Sequence, residues 1–195
     1  MWGRWILAIL VVVLIAVSFT YDFGYNVQEE VAVLETDMGT IVIDFLPEVA
    51  PKHVARFKEL AEQGFYDGVL FHRVIPGFMI QTGDPLTKDP ETPRARMGTG
   101  GSGQNIPAEF NKTPHVRGTV SAARSRHPDS ADSQFFICVG DASWLNGKYT
   151  AWGKVVDGME VADKIVAVER DKRDNPLEPV AIKSIKIMPR DKWKN

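Results

Sequence analysis

Cysteine is nearly missing: Cys138 stands alone in 195 residues. An intramolecular disulfide is therefore excluded. Its neighbours Phe135-Phe136-Ile137 and Val139 make it a small buried hydrophobe instead. Histidine is sparse, and His53, His72, His115 and His127 fall at no metal-ligand spacing. No metal and no other cofactor are expected. A basic excess is also lacking. The formal net charge is −2, so nothing points to nucleic acid as a partner. No G-x-S-x-G elbow occurs, and no spacing of Ser, His and Asp singles out a triad. No two carboxylates share an apolar setting that would drive their pKa values apart. Acid/base and nucleophilic catalysis are left without a candidate.

Charge of either sign is absent from Trp5 to Tyr21, and Ile6 to Val17 is continuously apolar. As a helix this stretch would be roughly 26 Å long, just short of a hydrocarbon core near 30 Å. Trp2 and Trp5 would mark one membrane boundary, Phe19 and Tyr21 the other. Arg4 precedes the run, while Asp22, Glu29 and Glu30 follow it. The positive-inside rule then leaves the N-terminus in the cytoplasm and carries the bulk of the chain to the outer side. Ala16-Val17-Ser18 also offers the small residues of a signal-peptidase site. Residues 1–22 are thus an anchor or a cleaved signal peptide, 23–30 a linker, and 31–190 the domain. The domain is exported under either reading, and a monomer is expected.

Within the domain, Val31–Thr36 and Thr40–Phe45 flank a Gly-containing turn and read as a hairpin. Pro51 opens a helical pattern that runs to Gln63, with Val54, Phe57, Leu60 and Ala61 on one face. Residues 83–114 lack periodicity and form a long loop, the kind that is usually functional or disordered. Gly98–Gly103 is a formal G-x-G-x-x-G. No strand precedes it and no helix opens in it, so a dinucleotide site is rejected. Strands are expected at Gly118–Ala122, Gln134–Val139, Thr150–Val156 and Val180–Met188, with a second helix ending near Val166. The order is not a βαβ rhythm. It suggests a mainly β, mostly antiparallel sheet, closed or sandwiched, with two helices at its ends.

Phe71–Gln81 is the most informative stretch. Pro76-Gly77 favours a tight turn between two short apolar runs. Arg73 is a cation set among Phe71, Phe78 and Met79, which is costly unless it is exposed or partnered. It is either an exposed residue of a half-buried hairpin or a hydrogen-bond donor at the edge of an apolar pocket. On a period-2 strand, only one of Phe135 and Phe136 can face the core. Trp144 lies in a turn-rich stretch where a purely structural Trp is less expected.

Phe71–Gln81, Ser133–Ile137, Trp144–Lys148 and Trp152–Met159 together resemble the cyclophilin family of peptidyl-prolyl cis-trans isomerases. They match F-H-R-x-I-P-G-F-M-x-Q, S-Q-F-F-I, W-L-x-G-K and F-G-K-V-x-x-G-M, in family order, over about Val31 to Met188. Ser121–Arg124 with Pro128, Ser130-Ala131 and Ser133 is similar to bacterial members. The resemblance implies a closed eight-stranded antiparallel β-barrel capped by two helices. It implies a proline pocket of Phe78, Met79, Phe136 and Leu145, with Phe78 counted among the catalytic residues. Arg73 is implied as the catalytic cation, oriented by Gln81. Gln134 and the backbone around Ala123-Arg124 would bind peptide, and Trp144 would form the rim. Tyr149 stands where many members have His and can still line the pocket. Arg124 stands where many have Asn, and its side chain is discounted because the family contact there is through backbone. Trp152, in place of a common Phe, is expected in the core.

The implied function is rotation of X-Pro bonds in proline-containing polypeptides, assisting folding at or beyond a membrane. The rival reading, of another class, is a non-catalytic Pro-peptide binding module or chaperone tethered at the membrane.

Overall fold

A computed structural model describes residues 30–193. The apolar N-terminal run lies outside them. Among the described residues no helix is long and apolar enough to cross a membrane. Eight strands form one antiparallel sheet: β1 (Glu30–Thr36), β2 (Gly39–Phe45), β3 (Arg73–Ile75), β4 (Met79–Thr82), β5 (Thr119–Ala122), β6 (Phe135–Cys138), β7 (Ala151–Asp157) and β8 (Ile182–Pro189). Their order across the sheet is β3-β4-β6-β5-β7-β2-β1-β8. Among the described residues three α-helices accompany it: α1 (Pro51–Glu62), α2 (Met159–Val166) and the short α3 (Arg190–Trp193). The first two match the expected pair. The third was not expected, because four polar-rich residues carry no helical periodicity.

The expected closed barrel is corrected. β3 and β8 are edge strands, and the ladder between them is not made. A single bridge, Leu70 to Ala181, spans the gap just before both strands, helped by Phe71 N–H to Val180 O at 2.9 Å and Ile182 N–H to Val69 O at 2.9 Å. The physical reason lies at the outer edge of β3. Val74 N–H donates to Asp174 O at 2.8 Å, so a loop occupies the edge that closure would need. Asp174 adopts a left-handed φ of 65° to present that carbonyl.

Strand alternation divides the apolar residues among a main core and two smaller clusters, one of them Val31, Val33 and Val42. The main core collects Ile43, Phe57, Leu60, Tyr66, Val74, Ile80, Phe135, Ile137 and Trp152, among others. α1 packs against it with Val54, Phe57, Leu60 and Ala61, and Pro51 starts that helix without costing it a hydrogen bond. Each such fully buried side chain contributes roughly 1.5–3 kcal/mol. Trp152 is 2 % exposed and packs against Phe57 with the ring centroids 4.6 Å apart, as a core residue should. The second cluster, of Met79, Phe136, Cys138, Ala142 and Leu145, lies on the other face of β4 and β6. Phe135 and Phe136 are thus split between the two faces, as the period of two requires. Burial among apolar atoms pushes the Cys138 thiol up to about 12, consistent with an inert packing role.

Candidate active site

The register of four strands sets one row of residues side by side. Arg73 on β3 pairs with Gln81 on β4, Gln81 with Phe136 on β6, and Phe136 with Ser121 on β5. One step along, Ile75, Met79 and Cys138 form a parallel row. Since alternate residues share a face, both rows point away from the main core. Arg73 therefore emerges at the sheet edge beside apolar floor residues. The Pro76-Gly77 turn makes this possible, with Gly77 at φ 74° and Phe78 N–H closing on Ile75 O at 3.0 Å.

A cleft of about 500 Å³ opens over this face. Of the residues anticipated from sequence, Arg73, Phe78, Met79, Gln81, Ala123, Arg124, Phe136, Trp144, Leu145 and Tyr149 all line it. Gln134 instead lines an adjoining recess of about 380 Å³, which shares Gln81, Gly98, Ala123 and Arg124 with the cleft. The floor is deeply buried, with Met79 at 1 % and Phe136 at 4 % exposure. Phe78 stands half-buried as one wall, its ring centroid 5.3 Å from Trp144 and 6.4 Å from Phe136. Trp144 is 54 % exposed, so this indole is a rim and not a core side chain. Tyr149 meets Phe136 edge-on at 6.0 Å.

The polar groups are held by a relay of amides. Gln81 Nε2 donates to Gln134 Oε1 at 3.0 Å, and Gln134 Nε2 donates to Gly100 O at 2.7 Å. Ala123 N–H donates to Gln134 O at 2.9 Å, which fixes the backbone beside the recess. Gly100 is itself anchored, because the fully buried Asp84 accepts from Gly98 N–H at 2.5 Å and Gly100 N–H at 3.2 Å. The Arg73 side chain has no hydrogen bond or ion pair among the described residues. The expected side-chain bond by which Gln81 would orient Arg73 is not made; the two are related by strand register alone. The Arg124 side chain, discounted from sequence, does line the cleft. Its guanidinium lies 4.4 Å from the Tyr149 ring centroid and donates to Lys148 O at 2.8 Å and Ser125 O at 2.9 Å.

Sequence reasoning missed one wall. His72, Arg94, Ala95, Met97, Gly98, Arg173 and Asn175 also face the cleft. His72 lies at the entry to β3, while the others come from two loops with no periodicity, and nothing local to either loop announces the contact. Arg94 joins them, donating to Asn175 Oδ1 at 3.1 Å, Pro176 O at 2.7 Å and Leu177 O at 3.0 Å. Burial drives the imidazole of His72 down to about 4, against the pull of Asp84, so it is neutral near pH 7. Among the described residues no group of three or more His, Cys, Asp or Glu gathers as a metal site would require.

The family model for cyclophilin type peptidyl-prolyl cis-trans isomerase/CLD matches residues 31–187. A probable peptidyl-prolyl cis-trans isomerase of Brucella abortus is 53 % identical over 140 residues, which cover 70 % of this chain and 71 % of that protein. The peptidyl-prolyl cis-trans isomerase ppi1 of Schizosaccharomyces pombe is 39 % identical over 150 residues, 76 % of this chain and 93 % of that one. Among solved structures, a cyclophilin type isomerase of Cryptosporidium parvum, crystallised in the presence of the dipeptide Ala-Pro, superposes with a TM-score of 0.73. It is 30 % identical, and the match covers 81 % of this chain and 98 % of that one. With the eight-stranded fold and the family match in agreement, the chain belongs to the cyclophilin-type family and is a peptidyl-prolyl cis-trans isomerase.

Proposed function

We propose that Arg73 is the catalytic cation of this isomerase and that the enzyme assists the folding of polypeptide clients at or beyond a membrane. The observation that carries the first part is a guanidinium with no partner among the described residues, at the edge of an apolar floor built from Phe78, Met79, Phe136 and Leu145. Rotation about X-Pro is opposed by amide resonance, with a barrier of ~18–20 kcal/mol for peptide bonds. As the bond twists, the proline nitrogen regains its lone pair. A guanidinium hydrogen bond to that nitrogen then exists only in the transition state, which is where binding energy accelerates a reaction. No bond is made or broken, so no nucleophile is required.

Turnover near ~10³ s⁻¹ requires removing roughly 7 kcal/mol, at about 1.4 kcal/mol per decade. A charge-assisted hydrogen bond supplies ~1.5–3 kcal/mol. The balance falls to the pocket. Phe136 and Met79 hold the pyrrolidine ring, while Gln134 and the backbone at Ala123-Arg124 hold the peptide in its twisted form. The test is an isomerisation assay on a Pro peptide with wild type and Arg73→Ala. Equal rates for the two would overturn the role of Arg73. Peptide binding by the wild type without acceleration would instead favour the non-catalytic module.

The localisation follows from residues 1–22, taken as an anchor with the N-terminus cytoplasmic or as a signal peptide, then a linker over 23–30 and the domain over 31–190. Its support is the uncharged run from Trp5 to Tyr21 with Arg4 before it and Asp22 after it. Mass spectrometry of the mature protein decides between the two. A chain starting at Met1 supports the anchor, and one starting at Phe19 shows cleavage.

A further inference from the structure

The cleft is one-signed. Arg73, Arg94, Arg124 and Arg173 line it, and no Asp or Glu does. The chain as a whole is the reverse, with 25 acidic residues against 23 basic ones. A carboxylate beside this wall is Asp171, 3.7 Å from Arg94. It accepts the backbone N–H groups of Arg173 at 2.8 Å and Asn175 at 3.1 Å, and those bonds, with the charges of Arg94 and Arg173, hold its carboxyl below the usual range. With Asp84 beneath Gly98 and Asp132 in the adjoining recess, three carboxylates adjoin the four guanidiniums, and the lining stays positive. Arg124 adds no cancelling partner, since Lys148 O, Ser125 O and the Tyr149 ring are all uncharged.

Arg94 and Arg124 are held by hydrogen bonds to backbone and side-chain oxygens. Arg94 ties its own loop to Asn175, Pro176 and Leu177, and Asn175 Nδ2 donates to His72 O at 2.9 Å, at the entry to β3. The exposed Arg173 is therefore carried on a loop pinned to the sheet. Apolar walls at Phe78 and Trp144 narrow the aqueous path between the charges, which concentrates their field on whatever enters.

We propose that the cleft selects proline segments whose neighbouring residues are acidic, with Asp or Glu beside the proline drawn to the Arg173 and Arg124 sides. This rests on the isomerase reading above and adds a substrate class to it. The attraction acts on encounter and binding, so it raises kcat/KM more than kcat.

The test uses the full chain in neutral detergent and three peptides of equal length with Glu, Ala or Lys before the proline. At about 0.02 M salt, kcat/KM should be at least about tenfold higher for Glu than for Lys, with Ala between them. At about 1 M salt, where screening acts within ~3 Å, the ratio should shrink to about twofold or less. Arg173→Glu should lower the Glu-to-Lys ratio at low salt by at least about threefold, and Arg173→Gln by less. Lys154→Glu makes the same charge change at an exposed position of β7 outside the cleft, and it should leave the ratio as it was. Circular dichroism confirms that each variant is folded. Equal rates for Glu and Lys at low salt would overturn the proposal, as would equal effects of Arg173→Glu and Lys154→Glu. If none of the three peptides is accelerated, the isomerase reading itself fails and the preference falls with it.

Discussion

Gln81 stands directly across the β3–β4 ladder from Arg73, yet its amide donates to Gln134 Oε1 at 3.0 Å and not along the row to the guanidinium. The position of Arg73 is therefore set by backbone pairing. Its head group has no hydrogen-bond or ion-pair partner among the described residues. Gln81 works on the other side of the row, where it links β4 through Gln134 to the loop at Gly100.

Arg73→Ala should lower kcat/KM for a Pro peptide by at least about tenfold, the loss of ~1.5 kcal/mol or more of transition-state binding. Because the side chain is exposed and has no partner among the described residues, the urea midpoint should move little. Arg73→Lys keeps the charge but not the planar fork and should recover only part of the rate.

Gln81→Leu tests the relay. It leaves Gln134 Oε1 without its donor and frees the Gly100 wall from β4, so activity should fall several-fold and less than in Arg73→Ala. Stability should drop by about 1 kcal/mol, measured by chemical denaturation.

Asp84→Ala should cost about 2–4 kcal/mol, since a fully buried carboxylate that accepts from the N–H groups of Leu86, Gly98 and Gly100 is removed and those donors are stranded. The neighbouring Gly83 is equally constrained. At φ +92°, any Cβ there would collide with Ser133 O, so Gly83→Ala should also destabilise strongly. Thermal melts of the two variants check both statements.

Stability should decline as pH falls from about 6.5 toward 4. Burial lowers His72 to about 4 and moves His53 and His115 the same way. In that window the unfolded chain takes up protons that the folded chain refuses, so the stabilisation present above the unfolded value near 6.5 is lost. His72 alone accounts for up to roughly 3 kcal/mol at about 1.36 kcal/mol per unit. Urea titrations at pH 7 and pH 4.5 measure the drop, and a substitution such as His72→Gln should flatten it.

Trp144 offers a reporter. With an exposed indole 5.3 Å from Phe78, its emission should shift when a Pro peptide enters the cleft, and Trp144→Phe should abolish that signal while the buried Trp152 stays silent.

Much of this was legible in the residues alone, where local pattern dictates structure. Alternation placed the strands to within a residue or two, Pro51 and the spacing of Val54, Phe57 and Leu60 marked α1, and Pro76-Gly77 marked the hairpin. The period of two required Phe135 and Phe136 to part, and they do. Four motifs in family order pointed to the floor and rim of the cleft. The open edge between β3 and β8 was not legible, because it depends on Asp174 reaching Val74 from a distant loop. The Arg94–Asn175 wall was hidden for the same reason: its partners lie 81 residues apart, and neither sits in a periodic segment. Nor could the sequence show whether Arg124 would fold onto Tyr149 or turn to water. Side-chain period and turn chemistry act over a few residues and can be read along the chain. The sign of the cleft's charge, the freedom of Arg73 and the direction of Gln81's hydrogen bond depend on which loops meet in space, and only the tertiary structure decided them.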